Sequence, residues 1–373
     1  MRILVVCRMI DNVAGGVERS AVTILNHLAA RGHEVSLLTW DRPGARAYYP
    51  LSDDVTWYRL HMGDPTRRAS LPLRLRRMAR IRGWVQRTIR PDVVVAFQLG
   101  PFVTIALALL GTGKPVIAAE RNAPDRFDHL RAGRRRQLWF QSFRLATRIT
   151  VQLNSYVVRY PRYLRDRIRV VQNMVTQADA RADCRGDDAR RVLLSVGRLG
   201  YQKNPACLLR AFARLAPKYP GWVLRLVGDG EYREDLHREA TELKIAERIE
   251  MPGPRPDIAR EYEGAQLFAL ASRWEGFPNA VAEALAHGLP VVGFAGCAGL
   301  NELVVHERNG LLAAGNGCED ALACALDDLM ADGDKRARLG ESGVKISQEY
   351  RPERIMELWE ETFAEAVNAR RGG

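Results

Sequence analysis

The stretch LFALASRWEGFPNAVAEALAHGLPVVGF, residues 267–294, lays down a strand, a loop, a helix and the start of another strand. Leu267–Leu270 is short and wholly apolar, which reads as a buried strand, and Ala271–Phe277 is its loop. Pro278 suits the first turn of a helix, because its missing N–H would have no partner there. The helix is expected from Asn279 to His287, ending at Gly288, the residue type that most easily adopts the left-handed turn past a helix end. Pro290–Gly293 reads as the next strand. Apolar strands alternating with helices argue for parallel sheet covered on both faces.

The same rhythm runs outward in both directions. In the first half, strands are expected at Arg2–Val6, Glu34–Thr39, Asp92–Phe97, Pro115–Ala119, Ile149–Gln152 and Ile168–Val171. Helices are expected between them at Gly16–Arg31, Leu71–Arg90, Phe102–Leu110 and Arg134–Ala146. In the second half, Arg191–Val196, Val223–Val227, Ile249–Met251 and Leu311–Leu312 join the strands already named. Helices follow at Pro205–Leu215, Tyr232–Leu243, Pro256–Gly264, Cys318–Met330, Asp332–Val344 and Pro352–Arg370. A chain of 373 residues exceeds one comfortable core. The expectation is an α/β protein of two Rossmann-like domains, with a ligand site in the cleft between them. The polar, aperiodic stretch VTQADARADCRGDD, residues 175–188, is the expected join.

Composition narrows the classes. Apolar content of 47% with 27% charged residues fits a soluble globular chain. The six cysteines are dispersed without a C-x-x-C pair, which favours reduced thiols over a disulfide frame or zinc site. MRILVVCRMI is too short in its apolar run for a signal peptide and reads as a first strand. Val93–Gly113 is interrupted by Gln98 and Gly100-Pro101, so strand, turn and helix describe it better than a membrane span. The expected location is therefore cytoplasmic or peripheral on a membrane. The net charge of +12 is uneven: residues 1–178 hold 30 Lys+Arg against 12 Asp+Glu, and the rest hold 26 against 32. An excess confined to one half argues for an anionic partner facing that half. No nucleic-acid-binding motif accompanies it, so no nucleic-acid partner is expected.

Four loops carry the candidate chemistry. Gly15-Gly16 follows the first strand and opens a helix, where backbone N–H groups could meet an anion, although a plain turn would also explain the pair. The pattern is not G-x-G-x-x-G, which counts against a dinucleotide enzyme. In LLSVGRLGYQKNP, residues 193–205, Arg198 and Lys203 follow a strand end and suit a diphosphate. In LRLVGDGEYREDL, residues 224–236, Gly228 and Gly230 would allow a base or ribose to come close, or simply make a turn. In the opening stretch, free N–H groups near Asn279 and Ala280 could seat a phosphate. Glu275 on the loop could reach a sugar, and Glu283 in the second helical turn could accept hydrogen bonds from ribose hydroxyls.

Gly15-Gly16, VGRLGYQKN, LVGDGE, SRWEGFPNAVAEALAHGLPVV and NGLL at 309–312 together resemble the retaining GT-B glycosyltransferases of family 4, which act on nucleotide sugars. Glu275 and Glu283 match that family's E-x7-E pattern. The resemblance implies an acceptor-binding domain over 1–175, a nucleotide-sugar-binding domain over 176–351, and a final helix within 352–373 packing back on the first. It implies that Arg198 and Lys203 hold the donor diphosphate, Glu275 orients the transferred sugar, and Glu283 binds ribose. Gly16, Gly228, Asn279 and Ala280 then contact donor. Many such enzymes carry a His after the strand at 115–119, where this chain reads AAERNAP and has Arg121. Arginine cannot pass a proton, so Arg121 is expected to stabilise charge or bind acceptor, with Glu120 orienting it and Gly15 and Asn122 also on the acceptor side. The E-R-N form resembles members that build lipid-linked oligosaccharides or exopolysaccharides.

Cations on the leaving diphosphate would make a D-x-D metal motif unnecessary, so neither metal nor cofactor is expected; Asp53-Asp54 reads as a solvated loop pair. A UDP-sugar is favoured over a GDP-sugar by family frequency. Residues 66–90 mix apolar residues with nine arginines and read either as a basic amphipathic helix for an anionic membrane surface or as a core helix with a solvated face. A second arginine-rich segment lies at 131–144. The competing readings are a non-catalytic nucleotide-sugar-binding protein and a sugar-nucleotide epimerase of the same fold.

Overall fold

The computed structural model describes all residues except 68, 125, 127–135, 187–189 and 372–373, and of residues 136 and 371 the backbone only. The chain divides into two units, Met1–Asn173 with Glu353–Gly373, and Met174–Pro352.

The first unit is built on a seven-stranded sheet: β1 (Arg2–Val6), β2 (Glu34–Thr39), β3 (Val55–Arg59), β4 (Val93–Phe97), β5 (Val116–Ala119), β6 (Arg148–Val151) and β7 (Ile168–Val170). Its order is β3-β2-β1-β4-β5-β6-β7, with every registered pair parallel. β4 is VVVAF and buried throughout, as expected of a strand covered on both faces. The chain winds from β1 to one edge and then returns to the other side of β1. The reversal point is therefore the gap between β1 and β4.

Between the strands lie α1 (Gly16–Ala30), α2 (Leu71–Gly83), α3 (Leu99–Ala108) and α4 (Arg136–Ser142). The beginning of the helix expected at residue 134, and residues 131–135 of the basic segment 131–144, lie outside the described residues. The single helix expected over Leu71–Arg90 is instead α2 followed by a π-helical turn, Trp84–Ile89. Ile81, Val85 and Ile89, four apart, are all buried. The wider turn offsets the drift that successive steps of four accumulate in an α-helix. β3 was not foreseen. It is an edge strand in which only Val55 is buried, so it lacks the apolar signature of its neighbours.

The second unit carries a six-stranded parallel sheet of β8 (Arg191–Val196), β9 (Trp222–Val227), β10 (Ile249–Gly253), β11 (Leu267–Leu270), β12 (Val291–Phe294) and β13 (Gly310–Ala313), in the order β10-β9-β8-β11-β12-β13. Here the winding reverses between β8 and β11. The α-helices of five or more described residues are α5 (Pro205–Leu215), α6 (Arg233–Glu242), α7 (Ala259–Glu263), α8 (Asn279–Ala286), α9 (Glu319–Ala331) and α10 (Gly333–Gly343). Pro278 stands one place before α8, at its N-cap, rather than in its first turn.

The last helix, α11 (Pro352–Arg371), packs into the first unit. Trp359 is fully buried and stacks on Phe97 with ring centroids 6.4 Å apart. Glu360 accepts from Arg31 at 2.8 Å and lies 3.0 Å from His33 Nε2. Glu365 pairs with Arg148 and Arg169 at 2.9 and 2.7 Å. Among the described residues no helix is long and apolar enough to cross a membrane.

Candidate active site

In open α/β sheets ligands bind beyond the carboxyl ends of the strands, where the winding reverses. In the second unit that point lies between β8 and β11, and a cavity there is lined by Ser195, Gly197, Arg198, Lys203, Leu270 and Ala271 among others. Lys203 reaches it along Gly197: a Cβ at that glycine would stand 3.0 Å from the lysine Cε and 3.3 Å from Cδ. Its Nζ ends 2.6 Å from Oε1 of Glu275. Glu275 is only 4% exposed, and its backbone N–H donates to Ala298 O at 2.9 Å. Residues far apart in sequence are thus joined by a short, largely desolvated ion pair, of the kind whose charged hydrogen bond is strong. Arg198 differs. Its Nη2 is 3.0 Å from Oε2 of Glu231, with side chains 76% and 47% exposed. The two expected phosphate cations therefore each have a carboxylate partner, one buried and one in solvent.

The glycines of LVGDGE serve first to let two loops touch. Gly228 has φ of +135°, and a Cβ there would lie 2.1 Å from Gly197 O. At Gly230 it would lie 2.3 Å from Leu199 O. The same loops exchange backbone bonds, Leu199 N to Asp229 O and Tyr232 N to Leu199 O, both 3.0 Å. The close approach expected for a base or ribose is thus made at these positions by the Gly197–Leu199 backbone.

At α8 the N–H of Asn279 donates to Phe277 O at 2.9 Å, so this amide is not the free anion donor that the sequence suggested. The next amide is that of Ala280. Glu283, half-buried in the second turn, accepts from the Tyr262 hydroxyl at 2.9 Å. The Tyr262 ring stacks on His287, centroids 5.0 Å apart. Tyr262 gave no signal in sequence. It comes from α7 and fixes one carboxylate oxygen of Glu283.

In the first unit, Gly15 is the extended N-cap of α1 and Gly16 its first residue. A Cβ at Gly15 would meet Oε2 of Glu18 at 2.0 Å, so the Glu18 carboxylate lies over the helix start. Burial raises the pKa of Glu18. Arg121, just past β5, is buried, with Cζ 5.0 Å from the ring centroids of both Phe97 and Trp359. Its Nη1 donates to Val171 O at 3.4 Å and Asn173 Oδ1 at 3.3 Å. Asn173 Oδ1 also accepts from Gln152 at 2.9 Å and Ser20 at 3.3 Å. Nε and Nη2 of Arg121 have no partner among the described residues, and burial pulls the guanidinium down to about 10. Glu120 was expected to orient this guanidinium. Its carboxylate instead takes Arg126 at 3.1 and 3.3 Å and the Arg121 backbone N–H at 3.1 Å. Asn173 and Gln152 do the orienting, and neither was foreseen, because their position becomes visible only when β5, β6 and β7 lie side by side. Asn122 follows Arg121 and is half-buried.

Two family models divide the chain between them. Residues 14–178 match "Glycosyltransferase Family 4" and residues 177–346 match "Glycosyl transferases group 1". A glycosyltransferase of Haemophilus influenzae is 35% identical over 169 residues, 45% of this chain and 48% of that protein. The chain thus aligns with about half the length of that relative. A Campylobacter jejuni N-acetyl-D-galactosaminyltransferase, named for an acceptor carried on diphospho-undecaprenol, is 25% identical over 95% of this chain and 97% of its own. Anabaena HepE, solved with UDP and glucose, superposes with a TM-score of 0.78 at 20% identity, covering 98% of this chain and 99% of that one. Two parallel Rossmann-like sheets and these two models, which between them run from residue 14 to residue 346, place the chain in the GT-B glycosyltransferases of family 4.

Proposed function

We propose that this protein transfers a sugar from a nucleotide-sugar donor, a UDP-sugar, to a lipid-linked or glycan acceptor with retention of anomeric configuration. The observation that carries the reading is the Lys203–Glu275 pair at the β8/β11 reversal, where Lys203 and Arg198 line a cavity. A diphosphate there would meet one half-buried and one exposed cation, and the sugar beyond it would meet Glu275. Glu283, held by Tyr262, would offer its carboxylate to the ribose hydroxyls. Gly16, Gly228 and Ala280 are assigned to donor contacts. The relatives support the substrate classes: HepE was solved with UDP and glucose, and the Campylobacter enzyme is named for an acceptor carried on diphospho-undecaprenol.

In the proposed step the acceptor hydroxyl oxygen bonds the anomeric carbon on the face that the diphosphate leaves. The bond to the diphosphate oxygen breaks, and that oxygen takes the hydroxyl proton. Lys203 and Arg198 stabilise the charge that develops on the leaving group. Arg121, whose Nε and Nη2 have no partner among the described residues, is assigned to the acceptor side with Gly15, Glu120 and Asn122. The basic first unit is assigned to an anionic membrane surface on the cytoplasmic side. On α2, Leu71 and Leu75 are 68% and 57% exposed among the exposed Arg74, Arg76 and Arg80, which supports that reading. Vesicle sedimentation that ignores anionic lipid and salt would remove it.

Incubation with a panel of UDP- and GDP-sugars and a lipid extract tests the function. The expected result is nucleotide release matched by a glycosylated lipid product. Binding without turnover would favour a non-catalytic nucleotide-sugar receptor, and an altered sugar on intact nucleotide would favour an epimerase.

A further inference from the structure

Lys203 and Glu275 stand on different loops, one after β8 and one after β11, so their 2.6 Å contact requires the loops to keep a fixed spacing. The residues flanking the pair set that spacing. The Arg273 N–H donates to Gln202 O at 2.8 Å, and Gln202 Nε2 donates to Trp274 O at 2.9 Å. The Arg273 side chain then crosses to the Lys203 loop. Its Nε donates to Tyr201 O at 3.2 Å and its Nη2 to Asn204 Oδ1 at 3.1 Å, with Cζ 4.6 Å from the Tyr201 ring centroid. Asn204 directly follows Lys203 and has φ of +49°, in the left-handed region that non-glycine residues seldom enter. Arg273 is itself anchored, since Asn316 Nδ2, beyond β13, donates to its carbonyl at 2.8 Å. The earlier part of the Lys203 loop is held from another side, by the Leu199–Asp229 backbone bond.

We propose that Arg273 is a positioning residue for the donor site: it fixes the turn that carries Lys203 and acts on the diphosphate through that lysine. Its planar fork holds two acceptors in a set geometry, Tyr201 O and Asn204 Oδ1, and these flank Lys203 in sequence. The proposal rests on the diphosphate assignment above. Arg248 provides an internal contrast. It too donates from its guanidinium to backbone carbonyls, Trp222 O and Tyr219 O, both at 2.6 Å. Trp222 opens β9, so that tie lies at the amino end of the sheet, away from the carboxyl edge where ligands bind. Losing Arg248 should cost stability and leave the site as it is.

The test is isothermal titration of UDP into the intact protein and its variants, with thermal melts to confirm folding. Arg273→Met should weaken UDP about ten-fold through the misplaced lysine. Asn204→Gly removes one anchor and no charge, on backbone that glycine adopts freely, and should weaken UDP about three-fold. It keeps the test decisive should Arg273→Met fail to fold. Arg248→Met should lower the melting temperature and change UDP affinity less than about two-fold. The critical background is Lys203→Met. If Arg273 acts through Lys203, adding Arg273→Met or Asn204→Gly to Lys203→Met weakens UDP no further. If Arg273 touches or attracts the diphosphate directly, its loss weakens UDP in that background too, and the proposal fails. Unchanged UDP affinity in Arg273→Met or Asn204→Gly, or an equal loss in Arg248→Met, also overturns the proposal, while Lys203→Met still harmful leaves the diphosphate site standing. No UDP binding by the unaltered protein, or none lost on Lys203→Met, overturns both.

Discussion

Replacing Lys203 with methionine tests whether the buried ion pair contributes to stability as well as to the proposed chemistry. The substitution keeps the stem against Gly197 and removes only the ammonium. Glu275, 4% exposed, then loses a 2.6 Å partner. Breaking a fully buried pair costs about 3–5 kcal/mol. The Lys203 side chain is 21% exposed, so water can partly replace it, and about 2–3 kcal/mol is expected. For a unit of this size that lowers the melting temperature by about 5–10 °C. Glu275→Gln leaves a lysine that can still reach solvent and keeps an amide oxygen as acceptor, so about 1 kcal/mol is expected. The double variant has no stranded charge and should lose about 1 kcal/mol or less. Urea unfolding and thermal melts of all four proteins give the cycle. The expected coupling is about 2 kcal/mol, with sugar transfer lost in every variant. Losses that simply add would mean that the two groups do not depend on each other, and the reasoning from burial would be wrong.

Three further outcomes follow from particular contacts. Gly228→Ala places a Cβ 2.1 Å from a backbone carbonyl at φ of +135°, so about 2–4 kcal/mol of stability and most UDP affinity should be lost; wild-type melting with normal binding would count against the loop contact. Arg121→Lys keeps the charge but loses the planar fork between Phe97 and Trp359, so unfolding should become about 2–3 kcal/mol easier and transfer should fall; an unchanged urea midpoint would contradict this. Glu360 is held down to about 2 from 4.5, first by its hydrogen bond to Arg31. Its folded-state pKa lies below the unfolded one, so its stabilisation is complete above pH 4.5 and is lost as the pH falls toward 2. Wild type should therefore exceed Glu360→Gln in stability at pH 7, with the gap closing at pH 3; a gap that stays constant with pH would refute it.

The reading of Leu267–Phe294 as strand, loop, helix and strand transferred directly to β11, α8 and β12, because buried parallel strands are uninterrupted apolar runs and the helix is bounded by Pro278 and Gly288. β3 escaped because only Val55 of this edge strand is buried, and Thr56 and Arg59 interrupt the apolar run that marks its neighbours. At the site, a strand end identified Arg198 and Lys203, since chemistry in such folds gathers past the carboxyl edge, whereas Arg121 came from the family resemblance. What those residues touch was not legible. Lys203 and Glu275 are 72 positions apart, and only the adjacency of β8 and β11 brings them together. Asn173, Gln152 and Tyr262 were invisible for the same reason. The glycines at 228 and 230 misled in a different way: sequence shows that a close approach occurs, but not what approaches, and here it is the chain's own carbonyls.

The most direct measurement is a crystal structure of this protein soaked with the UDP-sugar that supports turnover. The account predicts diphosphate oxygens within hydrogen-bonding distance of Lys203 Nζ and the Arg198 guanidinium, with the sugar against Glu275. A diphosphate bound elsewhere, with both cations still on their carboxylates at saturating ligand, would contradict it.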